Sequence, residues 1–141
     1  GNNVNISEFE SKIINKKHIK ILPYFENLPS IMASSDLVIS RAGAGTLFEI
    51  IGLEKPSIII PSPNVANNHQ YYNACELLEN KVIEVIEEKE ITKEKLAEKI
   101  NDLLNNYNKR ELLKKNMQEY KKIKPSETIY KEINKLINST K

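Results

Sequence analysis

The sequence predicts an α/β fold, a Rossmann-like parallel sheet with helices on both faces. Short β-branched apolar runs alternate with amphipathic stretches along most of the chain. With 141 residues, 40% of them hydrophobic and 28% charged, the chain can form one compact domain with a sizeable core. Sheets of this kind bind ligands beyond the carboxyl ends of their strands, so the loops at those ends are the candidate site.

The first half of the chain predicts a βαβαβ order. A polar loop and a short helix, SEFESKIINKK, precede a strand at 19–25, IKILPYF. The runs DLVIS at 36–40 and PSIIIP at 56–61 are typical of strands buried on both faces. A helix at NLPSIMASS, with Asn27 as its cap and Pro29 in its first turn, joins the first strand to DLVIS. A second helix, GTLFEIIGLE, joins DLVIS to PSIIIP.

The second half continues the alternation and then becomes helical. A helix at NHQYYNACELLEN is followed by a strand at KVIEVIE and by a helix that Thr92 caps. Two further helices, KRELLKKNMQEYKKI and SETIYKEINKLI, are separated by Pro125, which cannot continue the first of them. The inward positions predicted for the Thr92-capped helix are Leu96, Ile100, Leu103 and Leu104.

Positive charge is concentrated at the end of the chain. The formal net charge is +2, yet residues 107–141 contain ten Lys or Arg against four Glu. The total is too small to indicate a nucleic-acid partner, and none is predicted. We interpret the segment as solvated helices, with an anionic membrane surface as the alternative. The predicted core-facing stripe is Leu112, Leu113, Met117, Ile129, Ile133 and Leu136.

Cysteine and histidine usage argues against a metal site. Cys75 is the single cysteine, so neither an internal disulfide nor a cysteine-based zinc site is available, and we expect a small buried residue there. The histidines are His18 and His69, and no cysteine or carboxylate stands at ligand spacing from either. No apolar run approaches the ~18 residues of a membrane span, and the first residues lack the features of a signal peptide.

The stretch SRAGAGTLFEI, at 40–50, joins a predicted strand to a predicted helix. Gly43 and Gly45 permit dihedral angles closed to other residues, and small residues let a ligand approach the backbone. The helix start offers unpaired N–H groups to an anion, and Glu49 could accept hydrogen bonds from a vicinal diol such as ribose. The alternative for the loop is a tight strand-to-helix turn, and the alternative for Glu49 is a first-turn charge that complements the helix dipole. The stretch is neither a dinucleotide fingerprint nor a P-loop.

The stretch PSPNVANNHQYYNA places neutral polar groups at the same edge of the predicted sheet. Neutral donors and acceptors suit sugars, so His69 and Gln70 are candidate contacts. His69 has no partner at a position that suggests a general base. A hydrogen-bonding residue at the helix start is the alternative for His69.

Several stretches in this order resemble one family. DLVISRAGAGTLFEI, GLEKPSIIIPSP and NNHQYYNA closely resemble the carboxyl-terminal domain of the MurG family, bacterial glycosyltransferases of family 28. The resemblance runs from about Lys20 to the end and includes ILPYFENLPSIMASSD and KPSETIYKEINKLI. The combination of the R-A-G-A-x-T-x-x-E loop with N-H-Q-x-x-N-A is specific, whereas either half alone also occurs in related glycosyltransferases.

The resemblance implies the donor half of a GT-B enzyme. Such an enzyme transfers N-acetylglucosamine from UDP-N-acetylglucosamine to lipid I, with inversion, and forms lipid II in peptidoglycan synthesis. It implies no cofactor and no metal. It places the whole protein on the cytoplasmic side, peripheral to the inner face of the bacterial plasma membrane, where that membrane surface is a partner.

The resemblance also assigns residues. Glu49 would take the ribose hydroxyls, and the backbone of Phe25 would contact the uracil. His69 and Gln70 would face the sugar hydroxyls, although His69 stands where some relatives carry Gln. Arg41 and Asn73 match the motif as supporting residues. The loop residues implied against the phosphates and sugar are Gly43, Ala44 and Thr46.

Departures from the family pattern lead to a further expectation. Nothing in GNNVNISEFESK matches the family's first donor strand and its G-G-S-x-G turn. Residues 1–141 are therefore expected to form the UDP-sugar-binding domain without that strand, with the acceptor domain and catalytic base absent. The alternatives are the donor-binding subunit of a two-chain polyprenyl-diphosphate-linked or exopolysaccharide glycosyltransferase, and a non-catalytic α/β binding domain.

Overall fold

A three-stranded parallel sheet forms the centre of the fold. The computed structural model describes residues 6–13, 16–122 and 125–139. The strands are adjacent in the order in which they occur along the chain, and all of them run in the same direction. Their carboxyl ends therefore meet at one edge. The strands are β1 (Val38–Ser40), β2 (Ser57–Ile59) and β3 (Glu84–Val85).

The helices alternate with the strands and then follow them, which confirms the predicted α/β class. Asn27 caps its helix, since its Oδ1 accepts a hydrogen bond from the Ser30 amide at 3.2 Å. Thr92 does the same for the Lys95 amide at 3.1 Å. Both predicted caps are confirmed. The helices are α1 (Ile6–Lys12), α2 (Leu28–Ser34), α3 (Ala44–Gly52), α4 (His69–Glu79), α5 (Lys93–Asn105), α6 (Tyr107–Lys121) and α7 (Pro125–Ser139).

The predicted strand at 19–25 does not form. This segment has no strand structure, and Ile19, Leu22 and Tyr24 are exposed. A strand needs a ladder partner, and β1 pairs only with β2 among the described residues. Pro23 lacks the N–H that a ladder requires. The alternation of apolar residues did not produce a strand here, because no described strand pairs with this segment.

The core lies on both faces of β2. Ile58 and Ile59 are consecutive and therefore point to opposite faces, yet both are fully buried. This confirms that PSIIIP is a strand covered on both sides. The other buried apolar side chains come from the strand flanks and five helices, and include Met32, Leu47, Ile50, Ala74, Leu77, Ile83, Ile86, Leu103, Leu113 and Met117.

The predicted apolar stripes of the last three helices are only partly right. In α5, Leu103 is buried, and Leu96 and Ile100 pack against the core, but Leu104 is 43% exposed. In α6 one face packs on α3 and α5, so Leu113 and Met117 are buried. The neighbouring face has no such support. The predicted positions that prove exposed there and on α7 are Leu112, Ile133 and Leu136.

Two further expectations concern single side chains. The predicted stripe also included Ile129, whose side chain lies outside the described residues. Cys75 is partly buried rather than fully buried. Among the described residues, no helix combines the length and apolar character needed to cross a membrane.

A charged cluster ties β3 to the helices after it. Glu84 pairs with Lys99 at 2.5 Å and with Lys109 at 2.7 Å, and Lys109 also reaches Asp102 at 2.7 Å. Burial raises the pKa of Glu84, but the hydrogen bonds from Lys109 and Lys99 outweigh burial and leave that pKa below its ordinary value. Glu84 is thus a structural carboxylate that stabilises the fold when ionised.

Helices α3 and α4 end in the same backbone motif. After α3, the amide of Glu54 donates to Ile51 O and the next amide donates to Ile50 O. After α4, Lys81 and the residue that follows it repeat the pattern. These are Schellman motifs, whose left-handed position usually holds glycine. Here it holds Glu54, with φ 54°, and Lys81, with φ 53°.

Candidate functional site

Two helix starts lie at the carboxyl edge of the sheet. Helix α3 begins at Ala44, directly after the loop that follows β1. Helix α4 begins at His69, after the longer loop that follows β2. The predicted ligand residues of the two motifs are therefore on adjacent connections at one edge. This is the position where open α/β sheets bind their ligands.

The start of α3 exposes bare backbone. Gly43 occupies the cap position with φ −69° and ψ 133°, and no side chain caps the helix there. The first backbone hydrogen bond of the helix runs from the Leu47 amide to Gly43 O at 3.0 Å. The amides of Ala44, Gly45 and Thr46 have no acceptor within the helix. They can donate to an anion placed beyond the helix start, where the helix dipole also favours negative charge.

The described glycines do not use the dihedral angles that glycine alone permits. None of the described glycines has a positive φ. A Cβ added to Gly43 or Gly45 would meet no atom within 4 Å beyond its chain neighbours and the backbone of its own helix. The fold therefore tolerates side chains at both positions. The second expectation, that small residues leave room for a ligand against the backbone, is compatible with this open space.

The start of α4 determines how His69 can bind. Asn67 and Asn68 both have left-handed backbones, with φ 53° and 51°, and turn the chain into the helix. The His69 Nδ1 lies 2.9 Å from Ala66 O. A carbonyl oxygen only accepts, so Nδ1 carries the proton and donates. In the neutral ring, the exposed Nε2 is then an acceptor for a hydroxyl group.

One of the two polar groups of the Gln70 side chain is hydrogen-bonded within the protein. Its Oε1 accepts a hydrogen bond from the Ser62 amide at 2.9 Å, which fixes the loop after β2. The side-chain NH₂ group is therefore the part of Gln70 that can bind a ligand, and it is a donor. The sequence motif placed Gln70 at the site but did not indicate its tie to Ser62.

Asn73 connects the two helix starts. Its Nδ2 donates to Ala42 O at 3.4 Å, across from α4 to the loop before α3. Ala44 and Asn73 also line the same small cavity, of about 80 Å³. His69 lies one helical turn before Asn73, on the same face of α4. One hydrogen bond thus joins the two motifs, and the supporting role of Asn73 stays a prediction.

Arg41 is held by partners from other loops. Its Nη1 donates to Ile60 O at 3.4 Å, and the guanidinium forms an ion pair with Glu88. The sequence predicted a supporting role for Arg41 but did not identify Glu88. The one available signal was Glu88 itself, which directly follows the predicted strand KVIEVIE. Glu88 and Ser62 also line an open cavity of about 390 Å³ at the ends of β2 and β3.

Glu49 lies on a helix that begins at the carboxyl edge, whereas Phe25 lies in an irregular segment before α2. Glu49 is exposed on α3, so its carboxylate is accessible to a ligand. Phe25 is half-buried in the irregular segment before α2. Within the described ranges, no hydrogen bond joins Phe25 to the loops at the carboxyl edge, so its role remains a prediction from the resemblance. The described residues hold no cluster of His, Cys, Asp or Glu suited to a metal ion.

Comparison with known families identifies the domain. The sequence model of the glycosyltransferase family 28 C-terminal domain matches residues 1–133. The chain belongs to this family. The family 28 match includes both helix starts described above, together with every strand of the sheet.

Two proteins similar to this family 28 domain carry the same name. A protein of Thermoanaerobacter sp. (strain X514) is 47% identical over 113 residues, which are 80% of this chain and 31% of that protein. One of Oenococcus oeni is 38% identical over 91% of this chain and 34% of its own length. Both are named UDP-N-acetylglucosamine–N-acetylmuramyl-(pentapeptide) pyrophosphoryl-undecaprenol N-acetylglucosamine transferase. The chain thus spans about a third of the length of these relatives.

A solved structure of the same family is similar in fold. The crystal structure of Acinetobacter baumannii MurG matches with a TM-score of 0.59 and 28% sequence identity. The match covers 70% of this chain and 27% of that protein. The family 28 domain described here therefore corresponds to part of a MurG enzyme in sequence and in fold.

Proposed function

We propose that this domain binds UDP-N-acetylglucosamine for a transferase that delivers the sugar to a pyrophosphoryl-undecaprenol-linked N-acetylmuramyl-(pentapeptide). The names of the relatives support this activity. The observation that carries the proposal is the bare start of α3. Gly43 and Gly45 leave backbone amides open at the carboxyl edge, although neither the dihedral angles nor the packing require glycine.

The start of α3 suits the diphosphate of the donor. The first-turn amides of Ala44, Gly45 and Thr46 donate without any acceptor in the helix. As the sugar is transferred, negative charge grows on the leaving UDP. Fixed amide donors and the helix dipole then stabilise that charge more strongly than they stabilise the bound donor, which lowers the barrier.

The remaining contacts suit the ribose and the sugar. Glu49 offers carboxylate oxygens that can accept from both ribose hydroxyls. His69 supplies an acceptor at Nε2, and Gln70 supplies a donor at Nε2, so the pair complements hydroxyl groups, which both donate and accept. We assign the uracil contact to the backbone of Phe25, on the resemblance alone.

We place the acceptor site and the general base in the part of the relatives that this chain does not span. Inverting transfer requires the acceptor hydroxyl, a base for its proton and the donor to be held in one geometry. The described residues supply donor contacts. We therefore expect the 141-residue chain alone to transfer no sugar to such an acceptor, as measured with radiolabelled donor. In the complete protein the same chemistry would work at the cytoplasmic membrane surface, where the lipid-linked acceptor resides.

A titration tests the donor assignment. Uniformly ¹⁵N-labelled chain is titrated with UDP-N-acetylglucosamine and the amide shifts are followed by NMR. We expect shifts at the starts of α3 and α4, and we expect Glu49→Ala to lose about 1.5–3 kcal/mol of binding, the range for hydrogen bonds to a charged group. Glu79→Ala, at the opposite end of α4, is the matched control.

Two results would contradict the proposal. One is the absence of shifts at either helix start at millimolar donor. The other is an equal loss of affinity in the Glu49 and Glu79 variants, which would reduce the role of Glu49 to its charge.

A further inference from the structure

Arg41 spans the carboxyl ends of all three strands. It follows β1 directly, donates to Ile60 O just after β2 at 3.4 Å, and pairs with Glu88 shortly after β3. The next residues along the chain are Ala42 and Gly43, which lead into α3. A planar guanidinium can serve two acceptors in fixed directions, which a lysine ammonium does less well. The position of the loop before α3 is thus coupled to the loops after β2 and β3.

We propose that Glu88 is a positioning residue for the nucleoside diphosphate site. By holding the Arg41 guanidinium across the strand ends, Glu88 fixes the backbone of Ala42 and Gly43, and with it the direction of the first amides of α3. The inference rests on the proposed function for the identity of the ligand. Glu88 itself lies on a different loop and does not touch the ligand in this account.

The Arg41–Glu88 ion pair contributes little to the free energy of folding. The Arg41 and Glu88 side chains are 51% and 38% exposed, and pairs this exposed contribute little to folding. Their effect is local, since the pair joins two loops that the sheet leaves free beyond the last ladder bonds. A rival account makes Arg41 a direct phosphate ligand that Glu88 merely neutralises. The two accounts predict opposite changes in affinity when Glu88 loses its charge.

Three backbone hydrogen bonds close this edge and report on its rigidity. The Ile60 amide donates to Ser40 O at 2.8 Å, and the Ile86 amide donates to Ile59 O at 3.0 Å. The Leu47 amide donates to Gly43 O at 3.0 Å and forms the first bond of α3. Their amide hydrogens exchange with solvent only when the edge opens locally. The exchange rates of these three amides therefore measure how firmly the carboxyl edge is held when no ligand is bound.

The first experiment measures hydrogen exchange by NMR on the ligand-free chain. Glu88→Gln is compared with Glu87→Gln, which removes the same charge from a neighbour that pairs with Lys89 instead. We expect exchange at the Ile60 and Ile86 amides, and at the first bond of α3, to quicken about twofold to fivefold in Glu88→Gln alone, the range for an exposed ion pair. Equal rates in the two variants, or quickening throughout the domain, would overturn the proposal.

The second experiment measures binding of UDP and of uridine by NMR titration. We expect Glu88→Gln to weaken UDP about twofold to fivefold and to leave uridine unchanged, because uridine lacks the diphosphate. Adding Glu88→Gln to Arg41→Gln should cause no further loss. Tighter UDP binding in Glu88→Gln would favour the rival account and overturn ours. If the unmodified chain binds no UDP, the proposed function fails, while the exchange rates still decide whether Glu88 holds the edge.

Discussion

Replacing Gly45 by alanine separates what the fold needs from what the ligand needs. Gly45 lies in the first turn of α3, and a Cβ added there meets no atom within 4 Å beyond its chain neighbours and the backbone of its own helix. Its φ is not positive, so alanine adopts the same backbone without strain. Glycine within a helix is destabilising by roughly 0.5–1 kcal/mol relative to alanine. We therefore expect Gly45→Ala to raise the free energy of unfolding by about that amount and the Tm by roughly 2–4 °C.

Donor binding should change in the opposite direction. The added methyl group would occupy the open space beside the first-turn amides and hold a diphosphate away from them. Loss of one hydrogen bond to a charged group costs about 1.5–3 kcal/mol, which is tenfold or more in the dissociation constant for UDP-N-acetylglucosamine. A more stable variant with weaker binding is the expected outcome.

Gly52→Ala provides the matched control at the other end of the same helix. A Cβ there also meets no such atom within 4 Å, and Gly52 is far from the carboxyl edge. We expect this variant to gain stability and to bind donor normally. Thermal unfolding by circular dichroism and calorimetric titration provide both measurements. Unchanged donor binding by Gly45→Ala would refute the assignment of the helix start to the diphosphate.

The remaining predictions concern stability. Lys81→Gly should stabilise by about 1 kcal/mol in urea melts, because Lys81 holds a left-handed backbone, whereas Lys81→Ala should give no such gain. Ser57→Ala should be neutral or stabilise by up to about 1 kcal/mol, since the buried Ser57 hydroxyl has no partner in the described part of the chain. The lowered pKa of Glu84 means that its stabilisation is present above its ordinary value of 4.5 and is lost as the pH falls through the folded-state pKa. Glu84→Gln should therefore be less stable at neutral pH and should flatten the pH dependence of urea melts below pH 4.5.

The sequence predicted a helix or strand correctly where nearby residues alone determine it. Asn27 and Thr92 cap their helices because a cap needs only an amide three residues away. The run PSIIIP forms a strand buried on both faces because every residue in it tolerates burial. The segment at 19–25 failed since a strand also requires a neighbour, which its own residues cannot supply.

The candidate site was predictable in its location and less so in its geometry. The small residues before α3 and the polar residues before α4 indicated the carboxyl edge from sequence. The contacts that orient them join distant parts of the chain: Arg41 to Glu88, and Asn73 to Ala42. Such pairs depend on the strand order, which no single motif encodes. The sequence did not decide the glycine dihedral angles, because glycine has more than one reason to occur in a turn.

The order of the strands in the sheet has a consequence for how the domain is made. Because β1, β2 and β3 are neighbours in the order of synthesis, each strand can dock beside its predecessor as the chain leaves the ribosome. The starts of α3 and α4 can come together once β2 has paired with β1, before α5 and α6 are complete. Helix α6 then buries Leu113 and Met117 and packs on α3. The strand order thus allows this edge of the sheet to form before α6, which packs on α3, has been synthesised.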